Sequence, residues 1–173
     1  MRLFLKSLFV LSLLFLPLHS EIYEIRLTIE GFECPYCPRA VTNQLKEIPG
    51  VDHTRLWVYE GIGIIGWKDN VPFKALDIFK TFFKTQFTLK DIAVDVEGTM
   101  NYKRGASILN SQPDGSIFYI DNRGFPGLAD IKEGQSVRIK CFVSSQRGYN
   151  FITVDHVLPA NAPDEEINTS SSN

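Results

Sequence analysis

Tyr23-Glu24-Ile25-Arg26-Leu27-Thr28-Ile29-Glu30, followed by Gly31-Phe32-Glu33-Cys34-Pro35-Tyr36-Cys37-Pro38, is the stretch whose reading decides the fold. Its first eight residues alternate strictly between apolar and polar, which predicts a half-buried strand. Pro38 suits the first position of a helix, where its missing N–H leaves no bond unmade. Val41, Leu45 and Ile48 then recur at spacings of four and three, giving one apolar helix face. Pro49-Gly50 ends that helix. Cys34 and Cys37 therefore lie on the loop between a strand and a helix N-terminus. Two thiols at this spacing can hold one soft metal ion, and the same pair can close a disulfide.

Working outward, residues 51–69 predict a β-hairpin with Leu56 and Val58 on one face, Trp57 and Tyr59 on the other, and a turn at Glu60-Gly61. Ile62 and Ile64 return, while Gly63 and Gly66 weaken that strand or mark a bulge. Pro72 opens a second helix whose apolar face is expected to be Leu76, Phe79 and Phe83, with Phe73, Ile78 and Phe82 beside them. Such an aromatic stripe belongs to a core rather than to a cofactor box. Leu89, Ile92, Val94 and Val96 predict a fourth strand. The order over residues 22–97 is β-α-β-β-α-β, the ferredoxin-like arrangement.

From Gly98 the texture changes. Short strand-like runs (residues 106–109, 116–120, 136–144 and 149–158) alternate with turn signals such as Gln112-Pro113-Asp114-Gly115 and Asp121-Asn122-Arg123-Gly124. Residues 98–158 are expected to form a small OB-like barrel. The fold class read from the sequence is thus α+β, a ferredoxin-like domain followed by a small all-β domain. From Pro159 to Asn173 the chain is polar and acidic and is expected to be a disordered tail. Asn168-Thr169-Ser170 matches a glycosylation sequon, a pattern common by chance.

Upstream, Arg2 and Lys6 precede the apolar run Leu8 to Leu18, and Ser20 offers a small residue for cleavage. The run is shorter than the ~20 residues of a membrane span, so residues 1–20 read as a secretory signal. The alternative is an uncleaved anchor. Cleavage would take the formal charge from −2 to −4, because only Arg2 and Lys6 are lost. A slightly acidic protein with no second long apolar run gives no reason to expect nucleic-acid binding or stable membrane insertion. A periplasmic or secreted location is expected. With Cys34, Cys37 and Cys141 as the whole cysteine complement, no disulfide framework supports the fold.

A helix N-terminus favours thiolate over thiol, and paired thiolates bind thiophilic ions such as Cu(I), Zn(II) or Hg(II). Two protein ligands suit open coordination and transfer, since a closed zinc site needs two more. His53 and His156 have no ligand spacing and read as surface histidines. Cys141 lies in the alternating run Arg138 to Val143 and reads as a buried small hydrophobe. The alternatives for it are a third ligand or a resolving thiol. Gly61-Ile62-Gly63 with Gly66 spells G-x-G-x-x-G, but it lies inside a hairpin rather than between a strand and a helix, so it is no dinucleotide loop. No nucleophilic triad, phosphate loop or carboxylate pair is legible. Nor does the second half display a stacking-and-cation groove of the kind that single-stranded nucleic acid uses; it reads as an interaction module of unknown target.

The run Gly31-Phe32-Glu33-Cys34-Pro35-Tyr36-Cys37, with Val41, Leu45 and Pro49-Gly50-Val51, resembles the heavy-metal-associated domain family, which includes copper chaperones and a periplasmic mercury-binding protein. The likeness covers residues 22–97. The sequence departs from the family at Phe32, where the family has Met, and at Pro35 and Pro38. The resemblance implies metal ligands at Cys34 and Cys37, with Cu(I) first and Zn(II) or Hg(II) as alternatives. It also implies a protein donor or acceptor for the metal. Cys34-Pro35-Tyr36-Cys37 is similar to the glutaredoxin active site as well, and Val71-Pro72 to that family's Val-Pro segment, although here it leads into a helix pattern. The function expected is an exported carrier of a soft metal and not an enzyme. A thiol–disulfide oxidoreductase, or a structural module with a local disulfide, is the alternative.

Overall fold

The computed structural model describes residues 22–32, 36–112, 114–121 and 125–160. The expected signal (residues 1–20), the sequon and nearly all of the expected tail lie outside the described residues. The tail was expected from Pro159, yet Pro159 still belongs to a strand and pairs with Val137.

The elements in chain order are β1 (Ile22–Glu30), α1 (Cys37–Lys46), β2 (Val51–Trp57), β3 (Ile62–Trp67), α2 (Ala75–Phe83), β4 (Thr88–Lys103), β5 (Ala106–Asn110), β6 (Ile117–Ile120), a 3-10 turn (Pro126–Asp130), β7 (Ser136–Gln146) and β8 (Tyr149–Pro159). All eight strands belong to one sheet in the order β2-β3-β1-β4-β5-β6-β8-β7. A further pairing of β4 with β7 closes β4, β5, β6, β8 and β7 into a five-stranded barrel. Every pairing is antiparallel except β6 with β8.

This corrects the fold class read from the sequence. The chain is mostly strand, 53% against 18% helix, and is a closed five-stranded barrel with extra strands rather than a ferredoxin-like βαββαβ fold followed by a second domain. The physical reason lies in β4. Its residues Ile92, Val94, Val96 and Met100 are all buried, so one strand of 16 residues runs straight through the expected junction. Its first part pairs with β1, and residues 99–103 pair with β5 along the same edge. The opposite edge pairs with β7 over residues 93–99. Gly98 marks a close approach in mid-strand and not a boundary: a Cβ there would lie 2.7 Å from the Asn110 carbonyl oxygen and 2.9 Å from Leu109 Cγ. The barrel strand that escaped the sequence reading is thus the second half of β4.

The two helices cover one face of the β2-β3-β1-β4 part. Ile25, Leu27 and Ile29 of β1 share one contiguous apolar cluster with Val41, Leu45 and Ile48 after and within α1, and with Ile78 and Phe82 of α2. The same cluster runs on through Met100, Leu109, Phe118 and Ile139 of the barrel. α2 is rotated from the expected phase. It buries Ala75, Ile78 and Phe82, whereas Phe83 is 83% exposed. The barrel fixes this phase. Asn150 on β8 donates from Nδ2 to the Phe73 carbonyl (2.8 Å), and its Oδ1 accepts from the Ala75 N–H (3.0 Å). The Phe73 N–H donates to Ser116 Oγ at 2.6 Å. The Phe73 ring lies against Trp67 and Phe118, so β3, the α2 entry and β6 meet in one aromatic contact.

The weak points of β3 have steric causes. A Cβ at Gly63 would meet Leu56 at 2.8 Å, and one at Gly66 would fall inside the His53 ring at 2.1 Å. Both glycines leave room for a side chain of the neighbouring strand.

Candidate metal centre

Cys34 lies outside the described residues. Cys37 is the first residue of α1, and of it the backbone is described. The surroundings of the pair can be built from both flanks. β1 ends at Glu30, and Gly31 turns the chain with a φ of +98°, a conformation that side chains with a Cβ rarely adopt. Phe32 is half-buried against Phe87, with ring centroids 5.4 Å apart, so the strand side of the loop is anchored on the segment that follows α2. On the helix side, Tyr36 precedes the first turn and is 83% exposed. The β2–β3 turn is held alongside, because the Ile29 N–H donates to the Gly61 carbonyl at 2.7 Å. That turn carries the fully exposed Tyr59.

The first turn of α1 contains no acidic residue, and no side chain caps it. Its N–H groups and the positive end of the helix dipole are therefore not neutralised locally. Pro38 occupies the first turn, where its lack of an N–H is tolerated.

The other candidate ligands, Cys141, His53 and His156, lie on β7, β2 and β8. Cys141 on β7 is 2% exposed and donates its S–H toward the Val94 carbonyl at 3.5 Å. Burial pushes its pKa far above the ordinary thiol range, and the charges of Asp95 and Asp155 push in the same direction. It is sealed in the core as a neutral thiol. His53 and His156 are exposed, and each Nδ1 contacts the carboxylate of the preceding aspartate, Asp52 at 3.1 Å and Asp155 at 2.9 Å. Among the described residues no three or more His, Cys, Asp or Glu side chains are grouped to hold a metal. A multi-ligand metal-binding centre is thus not built from the described residues, and the metal expectation narrows to Cys34 and Cys37.

Sequence reading missed a buried charged group at the meeting of β4 and β7. Arg138 forms a two-pronged pair with Asp95 (Nε–Oδ1 and Nη2–Oδ2, both 2.8 Å). Its guanidinium also lies 3.8 Å from the centre of the Tyr23 ring. The Tyr23 hydroxyl donates to Glu97 at 2.9 Å. These residues come from three strands, and nothing in their local sequence signals that they meet. Among the described residues no helix is long and apolar enough to cross a membrane.

No protein-family model matches the chain, no curated protein matches it, and no solved structure matches it.

Proposed function

We propose that this protein carries one thiophilic metal ion, Cu(I) first, on Cys34 and Cys37, and passes it to or from a protein partner by ligand exchange in the periplasm or outside the cell. The observation that carries this reading is the position of Cys37 at the head of α1, in a first turn free of carboxylates. A helix N-terminus lowers a thiol's pKa, and the thiolate is the metal-binding form. The sequence around the pair resembles the heavy-metal-associated domains, which supports the same chemistry. Cys141 is sealed away in the core, so the remaining thiol does not complete a closed site. A two-thiolate site leaves coordination positions open to an incoming ligand, which is what transfer requires.

Native mass spectrometry of the reduced mature chain with Cu(I), Zn(II) and Hg(II) tests the proposal. One metal bound per chain, lost in Cys34→Ser and in Cys37→Ser, is the expected result. Uptake that survives the double substitution would overturn it. The same helix position also lowers a redox thiol's pKa. A chain that arrives two protons light, takes no metal and exchanges with glutathione would move the pair to thiol–disulfide chemistry.

A further inference from the structure

The outer surface of the barrel over β5, β6 and β8 is apolar. Ile108, Tyr119 and Phe151 are cross-strand partners in one row. They face outward, because the alternating residues Leu109, Phe118, Ile120 and Ile152 are buried inside the barrel. Ile117 and Tyr149 extend the same face and are 48% and 55% exposed. The Tyr119 ring lies 5.5 Å from that of Phe151 and 5.4 Å, edge-on, from that of Tyr149. Tyr119 and Phe151 thus lie side by side at 30° to one another, and Tyr149 stands at 80° to Tyr119 as a wall beside them. β5 has five residues, so the face is about 17 Å long at ~3.4 Å per residue.

A matching turn brackets each end of this face. The register places the β4–β5 turn at the Ile120 end of β6 and the β7–β8 turn at the Ile117 end. Both turns are Arg-Gly: Arg104-Gly105 and Arg147-Gly148. Arg104 (φ 52°) and Arg147 (φ 53°) are the non-glycine residues with left-handed backbone among the described residues. Two-residue turns of this kind favour Asn, Asp or Gly at the first position, and a longer side chain there is strained. The chain makes the same unfavourable choice twice, at opposite ends of one aromatic face. Lys103 adds an exposed cation beside Arg104, and Asp121 follows β6 at that end.

We propose that this face binds an acidic oligosaccharide, with sugar rings laid on Tyr119 and Phe151 against the upstanding Tyr149 and carboxylates held by Arg104 and Arg147. Arginine matches a carboxylate with two parallel N–H bonds. Ile108 and Ile117 suit the C–H faces of sugar rings and offer no stacking surface to a base. Lys103, Arg104 and Arg147 stand at the ends of this face, whereas β5, β6 and β8 themselves carry no Lys or Arg. Three cations are few for a nucleic acid, whose affinity rests on neutralising many phosphates, and they suffice to anchor carboxylates of a short acidic oligosaccharide. The proposal is independent of Cys34 and Cys37.

Calorimetric titration of the mature chain with a short oligogalacturonate, a neutral maltooligosaccharide and an oligothymidylate tests it. Asparagine accepts left-handed backbone, so Arg104→Asn with Arg147→Asn removes both charges while keeping the turns. The expected result is binding of the oligogalacturonate, weaker binding of the neutral glucan, and at least a tenfold loss of oligogalacturonate affinity in the double Asn variant and in Tyr119→Ala. The melting temperature of the double Asn variant should hold or rise. No binding of oligogalacturonate, or unchanged affinity in the double Asn variant, would overturn the proposal. Tighter binding of oligothymidylate would overturn it in favour of single-stranded nucleic acid.

Discussion

Cys141 and Gly98 show how far single residues can be read, in opposite ways. Cys141 sits in an alternating run, and the structure places it in the core of β7. Burial holds it neutral, with a pKa raised above that of the unfolded thiol. The unfolded chain therefore loses this proton first as pH rises. The folded state then binds more protons than the unfolded one, so stability falls with pH above about 8.5. In a background with Cys34→Ser and Cys37→Ser, urea midpoints from pH 8 to 10 should decline, by up to ~1.4 kcal/mol per pH unit. Cys141→Ala should abolish that slope. Gly98 could not be read from its neighbours, because what it avoids is the Asn110 carbonyl on the next strand. Gly98→Ala forces backbone to move and is expected to destabilise by roughly 1–3 kcal/mol, measured by urea titration. The twin Arg-Gly turns were hidden for a similar reason. Each is unremarkable alone, and only strand register places them at the two ends of one face.

At the scale of elements, α1 was legible because its apolar spacing, its first-turn proline and its Pro49-Gly50 stop all agree. α2 was not, in its phase. Its sequence is apolar on several sides, so periodicity alone leaves open which stripe faces the core. The choice is made by Asn150, 75 residues downstream of Ala75, through two hydrogen bonds to the backbone at the helix entry. Asn150→Ala would leave the Phe73 carbonyl and the Ala75 N–H buried without these partners. At about 1–3 kcal/mol for each of the two unsatisfied groups, the loss should be roughly 2–6 kcal/mol in urea titration. Trp67, whose ring packs on Phe73, should also change its fluorescence in the folded state. A stability within 0.5 kcal/mol of the parent, an order-of-magnitude bound for an ordinary surface change, would refute this role for Asn150.

At the scale of the whole molecule, β4 makes the two halves one structure. Its first part completes the sheet under the helices, and residues 93–103 supply barrel pairings to β7 and β5. The sequence reading divided the chain at residue 98 because hydrophobic periodicity is local, whereas the sharing of a strand is a property of pairing. The Arg138–Asp95 pair reinforces the same seam, since it joins β7 to β4 where β4 also pairs with β1. Two independent domains would unfold separately, while a shared strand and a continuous core make unfolding a single event. Both tryptophans lie on β2 and β3, outside the barrel. Their fluorescence should therefore report on the barrel only through β4 and the core. Arg138→Ala leaves Asp95 partly buried without its closest cation and is expected to cost about 3–5 kcal/mol. The decisive readout is where that loss is felt. Urea unfolding followed by tryptophan emission and by far-ultraviolet circular dichroism should give coincident transitions in the parent, and both should shift together in Arg138→Ala. A tryptophan transition that stays in place while the circular dichroism splits into two steps would mean that the halves are separate folding units joined only by a long strand.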